Sequence, residues 1–341
     1  MKKIFLIGLT AAAMLASCSN DETVEMAQQK AIGFSNAFVN NGTRSVVDPS
    51  FTTTSLNDFA VYGFTQNGQI FDGEKVSKTG DAWSYVNVQY WVPGNTYTFG
   101  AIAPHSAANV SDVKLPEGAT KVEMKVAFTN TDANQVDLLH AEPAQITGVT
   151  ASYTEPVSMT FNHQLSKVKF SFENTVGAGY NVKVSNVKIT NAYANGTLTV
   201  AAAGNNWSDQ TNQNLELNFG NVVNDASGTE AAVIANTATL ESYNEKLMIP
   251  MGGSATYTVT FTVELFKDNV PLGTYNHTVQ IKNVEFKLGY CYDFKATLTH
   301  ENIVDPENPL KPIEFKVDGI TDWNQTDVNQ NLNDPTTHSG I

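Results

Sequence analysis

"TYTVTFTVEL", residues 256–265, decides the class of this chain. Tyr257, Val259, Phe261, Val263 and Leu265 fall on one parity, while threonines and Glu264 fill the other. A repeat of two marks an extended strand with one face in a core and one in water, because successive side chains of a strand point to opposite sides. The residue types agree, since β-branched and aromatic side chains suit a pleated, half-buried surface. The same alternation runs through "FKLGYCYDFKATL" at 286–298, carried by Phe286, Leu288, Tyr290, Tyr292, Phe294, Ala296 and Leu298. In "SKVKFSF" at 166–172 it predicts Val168, Phe170 and Phe172 inward, with Lys167 and Lys169 outward. No amphipathic helical pattern extends beyond a turn or two. These strands predict an all-β protein, and one wet face per strand favours antiparallel sandwiches over a parallel sheet.

The strand patterns group into two blocks. The first runs from "AIGFSNAFV" (31–39) to "VDLLHAEPAQITG" (136–148), and the second from "EPVSMTFNHQLSKVKFSF" (155–172) to "GITDW" (319–323). Small and polar residues between them suit a junction. The predicted division is an N-terminal sandwich over 45–155, a C-terminal sandwich over 156–323 and a polar tail over 324–341. Residues 201–246, rich in Asn, Ala, Ser and Thr, predict short strands on long loops. "DPENPLKP" (305–312) reads as a Pro-rich arm delivering a last strand, "IEFKV" (313–317).

The start of the chain reads as an export signal over residues 1–17. "MKK" is a positive opening, "IFLIGLTAAAML" a short apolar run and "LASC" a small-residue close before Cys18. The run is too short to span a bilayer. Leu15-Ala16-Ser17-Cys18 resembles a bacterial lipobox, which implies a diacylated Cys18 as the first mature residue. Cys291 is then the one remaining cysteine, so no disulfide forms within the chain and stability rests on buried core. A formal charge of −14 offers no basic patch to nucleic acid or anionic headgroups.

Catalytic and metal-binding patterns are missing from the sequence. His105, His140, His163, His277, His300 and His338 are scattered, with no HExxH or other zinc spacing, and there is no G-x-S-x-G turn or P-loop. "DPEN" and "DANQVD" lack the regular oxygen spacing of a calcium loop. Tyr85, Tyr90, Trp91 and Tyr97 allow a sugar platform or a strand core. Cys291 lies on the polar parity of its strand and reads as an inert thiol. The expectation is a non-enzyme with no cofactor and no metal.

One further residue stands out. "NNGTRSVVD" (40–48) holds Arg44, the only arginine in the chain. Codon usage explains the rarity but not the position, next to a Gly/Asn loop suited to proteolytic nicking.

Several of these pieces occur together in one family. The lipobox, an Ile-x-Phe strand followed by Thr43-Arg44, "YWVPGNTYTFGAIAP" (90–104), "VDLLHAEP" (136–143), "FNHQLSKVKFSF" (161–172) and "VDGITDW" (317–323) appear in order over nearly the whole exported chain. In this the chain resembles the fimbrillins, the lipoprotein subunits of Bacteroidia type V pili. The resemblance implies two transthyretin-like β-sandwiches and transport to the outer-membrane surface on a lipid at Cys18. It also implies an arginine-specific protease that cuts after Arg44 and leaves Ser45 as the new N-terminus. Loss of the strand carrying Ile32, Phe34 and Phe38 would open a groove for a strand from another subunit. The tail offers only Val328, Leu332 and Ile341 as donor side chains. Either Ile313, Phe315 and Val317 of "IEFKVDGITDW" donate, or the subunit is not one of the shaft. The functional expectation is a fimbrial subunit serving adhesion, with other subunits as partners. The alternative is an anchored, monomeric surface lipoprotein that binds a glycan or host ligand. Replacing Cys18→Ala is expected to shift the protein from the membrane to the soluble fraction, read by fractionation and immunoblot, and retention in the membrane would refute lipidation.

Overall fold

The computed structural model describes residues 30–39, 56–107, 109–133, 135–224, 229–251, 255–306 and 312–322. The export segment, Cys18, Arg44, Ser45 and the tail 324–341 lie outside them. The fold is all-β, in three sheets. The first contains β1 (Phe34–Val39), β2 (Asp58–Thr65), β3 (Gly68–Thr79), β4 (Ala82–Ser84), β5 (Tyr97–Ala103), β8 (Leu139–Ala141) and β9 (Val157–His163). Their lateral order is β1-β9-β8-β5-β2-β3-β4. The second contains β6 (Asn109–Lys114), β7 (Glu123–Thr129), β11 (Tyr180–Val200), β12 (Asn206–Gly220), β16 (Ala255–Lys267) and β17 (Val270–Val284). It runs β17-β16-β11-β7-β6, with β12 beside β11. The third contains β10 (Ser166–Asn174), β13 (Val222–Val223), β14 (Thr239–Ser242), β15 (Lys246–Met248), β18 (Tyr290–Leu298) and β19 (Phe315–Asp322). Here the order is β13-β14-β10-β18-β19, with β15 beside β10. A short helix, α1 (His300–Val304), is capped by the Thr299 side chain, which accepts from the Asn302 amide.

The alternation that decides the class is also what builds the core. Tyr257, Val259, Phe261, Val263 and Leu265 on β16 are all buried, and they meet Val168, Phe170 and Phe172 of β10 and Tyr292, Phe294, Ala296 and Leu298 of β18. This core lies between the second and third sheets. Another joins Ala60, Tyr62 and Ile102 of the first sheet to Val122, Met124, Val126 and Phe128 at β7. A third core, around Phe59, Phe71, Phe99 and Phe161, is drawn from the first sheet and its loops.

Sheet membership does not follow the expected division at residue 155. β9 lies beyond that point in sequence, yet pairs with β8 and β1 in the first sheet. β11 pairs with β16 over Tyr180–Ile189 and with β7 over Asn195–Val200. One continuous strand therefore belongs to both halves.

Two local expectations are corrected. Lys167 does not face water: it is 7% exposed, and its Nζ lies 3.0 Å from Oε2 of Glu245, which is 3% exposed. The cause is cover on both faces of β10, where Leu165, Leu247, Ile249 and Cys291 form a second apolar layer. The sheets are antiparallel as expected except at two strand pairs, β1–β9 and β10–β18, which are parallel. Finally, residues 206–220 form one long strand rather than short ones. Its ladder with β11 tolerates several register shifts, so backbone pairing sustains a strand whose side chains are mostly polar and exposed.

Burial also sets the state of the titratable groups inside. It pushes the Cys291 thiol up to about 12, which keeps it protonated and unreactive. It pushes His140 and His277 down to about 4, so both are neutral in the folded protein. An unfolded chain takes up protons near the ordinary value of 6.5. Stability carried by these histidines is therefore complete above that value and is lost as the pH falls toward 4. Denaturant unfolding across this window is expected to show a loss on the order of 1–3 kcal/mol per histidine. His277→Phe, which keeps a ring stacked on Phe261, should remove part of the slope.

Candidate functional site

The N-terminal segment 30–39 has a particular place in the first sheet. Its first residues pair antiparallel with the stretch after β4: the Ile32 amide donates to the Gln89 carbonyl at 2.8 Å and the Trp91 amide to the Lys30 carbonyl at 2.9 Å. Its later residues form β1 and pair parallel with β9, beginning with the Val157 amide donating to the Gly33 carbonyl at 2.8 Å. β4 and β9 stand at opposite ends of the path that runs through β8, β5, β2 and β3. The segment thus closes the sheet on itself.

Side chains seal the closure. Ile32 is 1% exposed and Phe34 is 6% exposed. The Phe34 ring stands edge-on to four others, with centroids 5.8 Å from Phe59, 5.8 Å from Phe71, 5.6 Å from Tyr85 and 6.2 Å from Phe99. The Tyr85 hydroxyl donates to the Ile32 carbonyl at 2.6 Å. Gly63 on β2 makes the slot possible: a Cβ there would lie 2.8 Å from Cδ2 of Phe71 and 3.0 Å from Cδ1 of Phe99. Burying Ile32 and Phe34 stabilises the closed sheet by about 3–6 kcal/mol, at roughly 1.5–3 for each large apolar side chain.

Of the residues expected at this site, Ile32 and Phe34 come together as their alternation implies. The period of two does not continue unbroken to Phe38. A register shift after Ser35 sets Phe38 opposite Thr160 and Val39 opposite Phe161. The aromatic cluster divides: Trp91 and Tyr97 are core, Tyr85 is half-buried and only Tyr90 stands open. The slot walls Phe59, Phe71, Phe99 and Gly63 were not singled out by sequence, although "FAVYGFT" (59–65) sets one glycine among bulky residues.

The candidate donor residues lie in another core. Ile313 is buried, and Phe315 packs against Phe170 at 5.1 Å, Phe172 at 5.7 Å and Phe261 at 5.8 Å. Val317 is half-buried opposite Phe294. These residues fill the edge between β17 and β18, beside a groove of about 560 Å³ lined by His277, Val279 and Ile281. The structure does not bring them to the Phe34 slot.

His163 on β9 holds Asp137 at 2.7 Å through Nδ1, a partly buried pair that ties β9 to the loop before β8. Among the described residues no group of His, Cys, Asp and Glu is arranged to hold a metal ion, and no helix is long and apolar enough to cross a membrane.

The sequence model of the Fimbrillin-like family matches residues 43–317. The chain belongs to this family. Fimbrillin-like proteins are fimbrial proteins of the cell surface, which makes other fimbrial subunits the class of partner for this one. No curated protein matches the chain. Among solved structures, it is similar to a fimbrial protein from Bacteroides vulgatus, at 14% identity and a TM-score of 0.58, over 87% of this chain and 100% of that one. It is also similar to a candidate cell adhesion protein from Bacteroides ovatus, at 20% identity and a TM-score of 0.50, over 87% and 98%. At these identities the likeness shows the shared fold of this fimbrillin-like chain.

Phe34→Ala is expected to destabilise the protein by about 3–5 kcal/mol, the usual cost of emptying a phenylalanine site in a packed core. Denaturant unfolding measures it, and a loss under 1 kcal/mol would show that the slot collapses without its ring.

Proposed function

We propose that this fimbrillin-like protein is a structural subunit of a surface fimbria, matured by cutting after Arg44 and assembled by strand exchange. The observation that carries the reading is the position of residues 30–39. They close both ends of the first sheet, and the single arginine of the chain follows five residues after β1 ends. A cut there would leave Ser45 as the new N-terminus and detach the closing strand, together with the lipid on Cys18.

The energetics follow from the contacts. While tethered, the strand competes with any partner at high effective concentration, so the uncut chain stays closed. Once detached, its departure frees the edge of β9 and the carbonyl and amide groups at 89–91, and it empties the Phe34 slot. An exposed edge beside an apolar slot is a template for strand addition. A neighbour's strand with correctly spaced apolar side chains would satisfy both. The run Ile313, Phe315 and Val317 has that spacing, and donation would require β19 to leave its place beside β18. The chain is exported to the outer-membrane surface on its lipid, and an arginine-specific protease is its processing partner.

Arg44→Lys keeps the charge and stops a strictly arginine-specific protease. Digestion of both forms, followed by size-exclusion chromatography, is expected to give assembly of the wild type and an uncut, monomeric variant. A wild type that is fully cut yet remains monomeric would overturn the proposal.

A further inference from the structure

The surface beside the closing strand has an unusual composition. Seven large apolar residues are well exposed among the described residues, and four of them fall in one run. Val86 is 84% exposed, Val88 45%, Tyr90 46% and Val92 40%. Tyr85 and Trp91 turn inward at either end of the run, and the four apolar side chains stand outward within one short stretch that opens with a bend at 86–87. A contiguous row of this kind marks an interaction surface more often than isolated apolar residues do.

The row is held in shape before any partner arrives. The Glu74 carboxylate accepts from the amides of Val86 and Asn87, both at 3.1 Å, and from the Asn87 side chain at 2.7 Å. On its other side the row meets the closing strand, where Tyr90 bridges to the exposed Ala31.

We infer that this row is the body-to-body contact with a second copy of the chain. Two observations select that occupant. The chain carries a formal charge of −14, so two copies repel over most of their surfaces. Residues 82–104 contain no Asp, Glu, Lys or Arg, and the Glu74 carboxylate beside the row is taken up by the Val86 and Asn87 amides, so this run presents few charges to a second acidic copy. The second observation is position. The inference rests on the strand-exchange reading here, because residues 30–32, which a donor strand would replace, pair with 89–91 within the row.

The test uses Val86→Asp/Val88→Asp in the exported chain, uncut and cut after Arg44, in sedimentation equilibrium against the wild type. Val86→Asp alone, at the most exposed position, serves as the variant that cannot disturb the core, and the thermal midpoint checks folding. The expected result is self-association of the cut wild type that weakens at least tenfold in both cut variants with the midpoint unchanged. If the uncut wild type associates through the row while the cut chain forms no polymer, the contact stands and the strand-exchange reading falls. Polymers of the cut variants as stable as those of the wild type overturn the contact and leave strand exchange intact. A wild type that stays monomeric in both forms overturns the contact. So does a wild type that sediments with neutral phosphatidylcholine vesicles while remaining monomeric, since the row would then be a lipid contact.

Discussion

A sheet that wraps around its own core must close, and here one short segment does so. Residues 30–39 supply backbone partners to the stretch after β4 and to β9, and they place Ile32 and Phe34 between the two. Unpaired strand edges attract other chains, and buried apolar slots fill with whatever fits. Both liabilities are held off by the same peptide. The rings of Phe59, Phe71, Tyr85 and Phe99 are arranged about the single ring of Phe34, so its presence decides the packing of the core around it. Closure by one removable piece gives the molecule a point where a covalent cut becomes a change of state.

The remainder of the protein gives that point a rigid setting. β11 runs through the second sheet from β16 to β7 and carries side chains of two cores. Where the third sheet is covered on both faces, charges that would otherwise meet water are paired. Lys167 holds Glu245 in the interior, and Lys246 holds Asp132 at 2.9 Å close by. Losing one partner of the buried Lys167–Glu245 pair leaves an uncompensated charge, at a cost of about 3–5 kcal/mol. The Lys167–Glu245 pair ties β10 to the start of β15, and the Lys246–Asp132 pair ties β15 to the loop that leads into β8 of the first sheet.

Much of this was legible in the residues. The parity of Tyr257 to Leu265 and of Tyr292 to Leu298 told which side chains go inside, and Ile32 and Phe34 announced a buried strand. Legibility failed where a second layer or a bulge intervened. Lys167 has the parity of a wet face, but its face is covered by residues from β15 and β18, distant in sequence. The shift after Ser35 breaks the count that would place Phe38 with Phe34. β12 is polar along most of its length, and only its ladder with β11 makes it a strand.

By itself, the sequence determined the strand class, the inward parity of the main strands and the isolation of Arg44. These are local properties: alternation is written in neighbouring residues, and composition can be counted. Only the tertiary structure decided which strands lie side by side, that β9 and β10 take parallel partners and that one N-terminal segment closes the first sheet. It also decided that the valine row at 86–92 faces outward while Trp91 turns in. Lateral pairing joins residues far apart in the chain, and its choice depends on which combination of edges and slots can be satisfied together. That joint condition leaves no mark on any single stretch of residues.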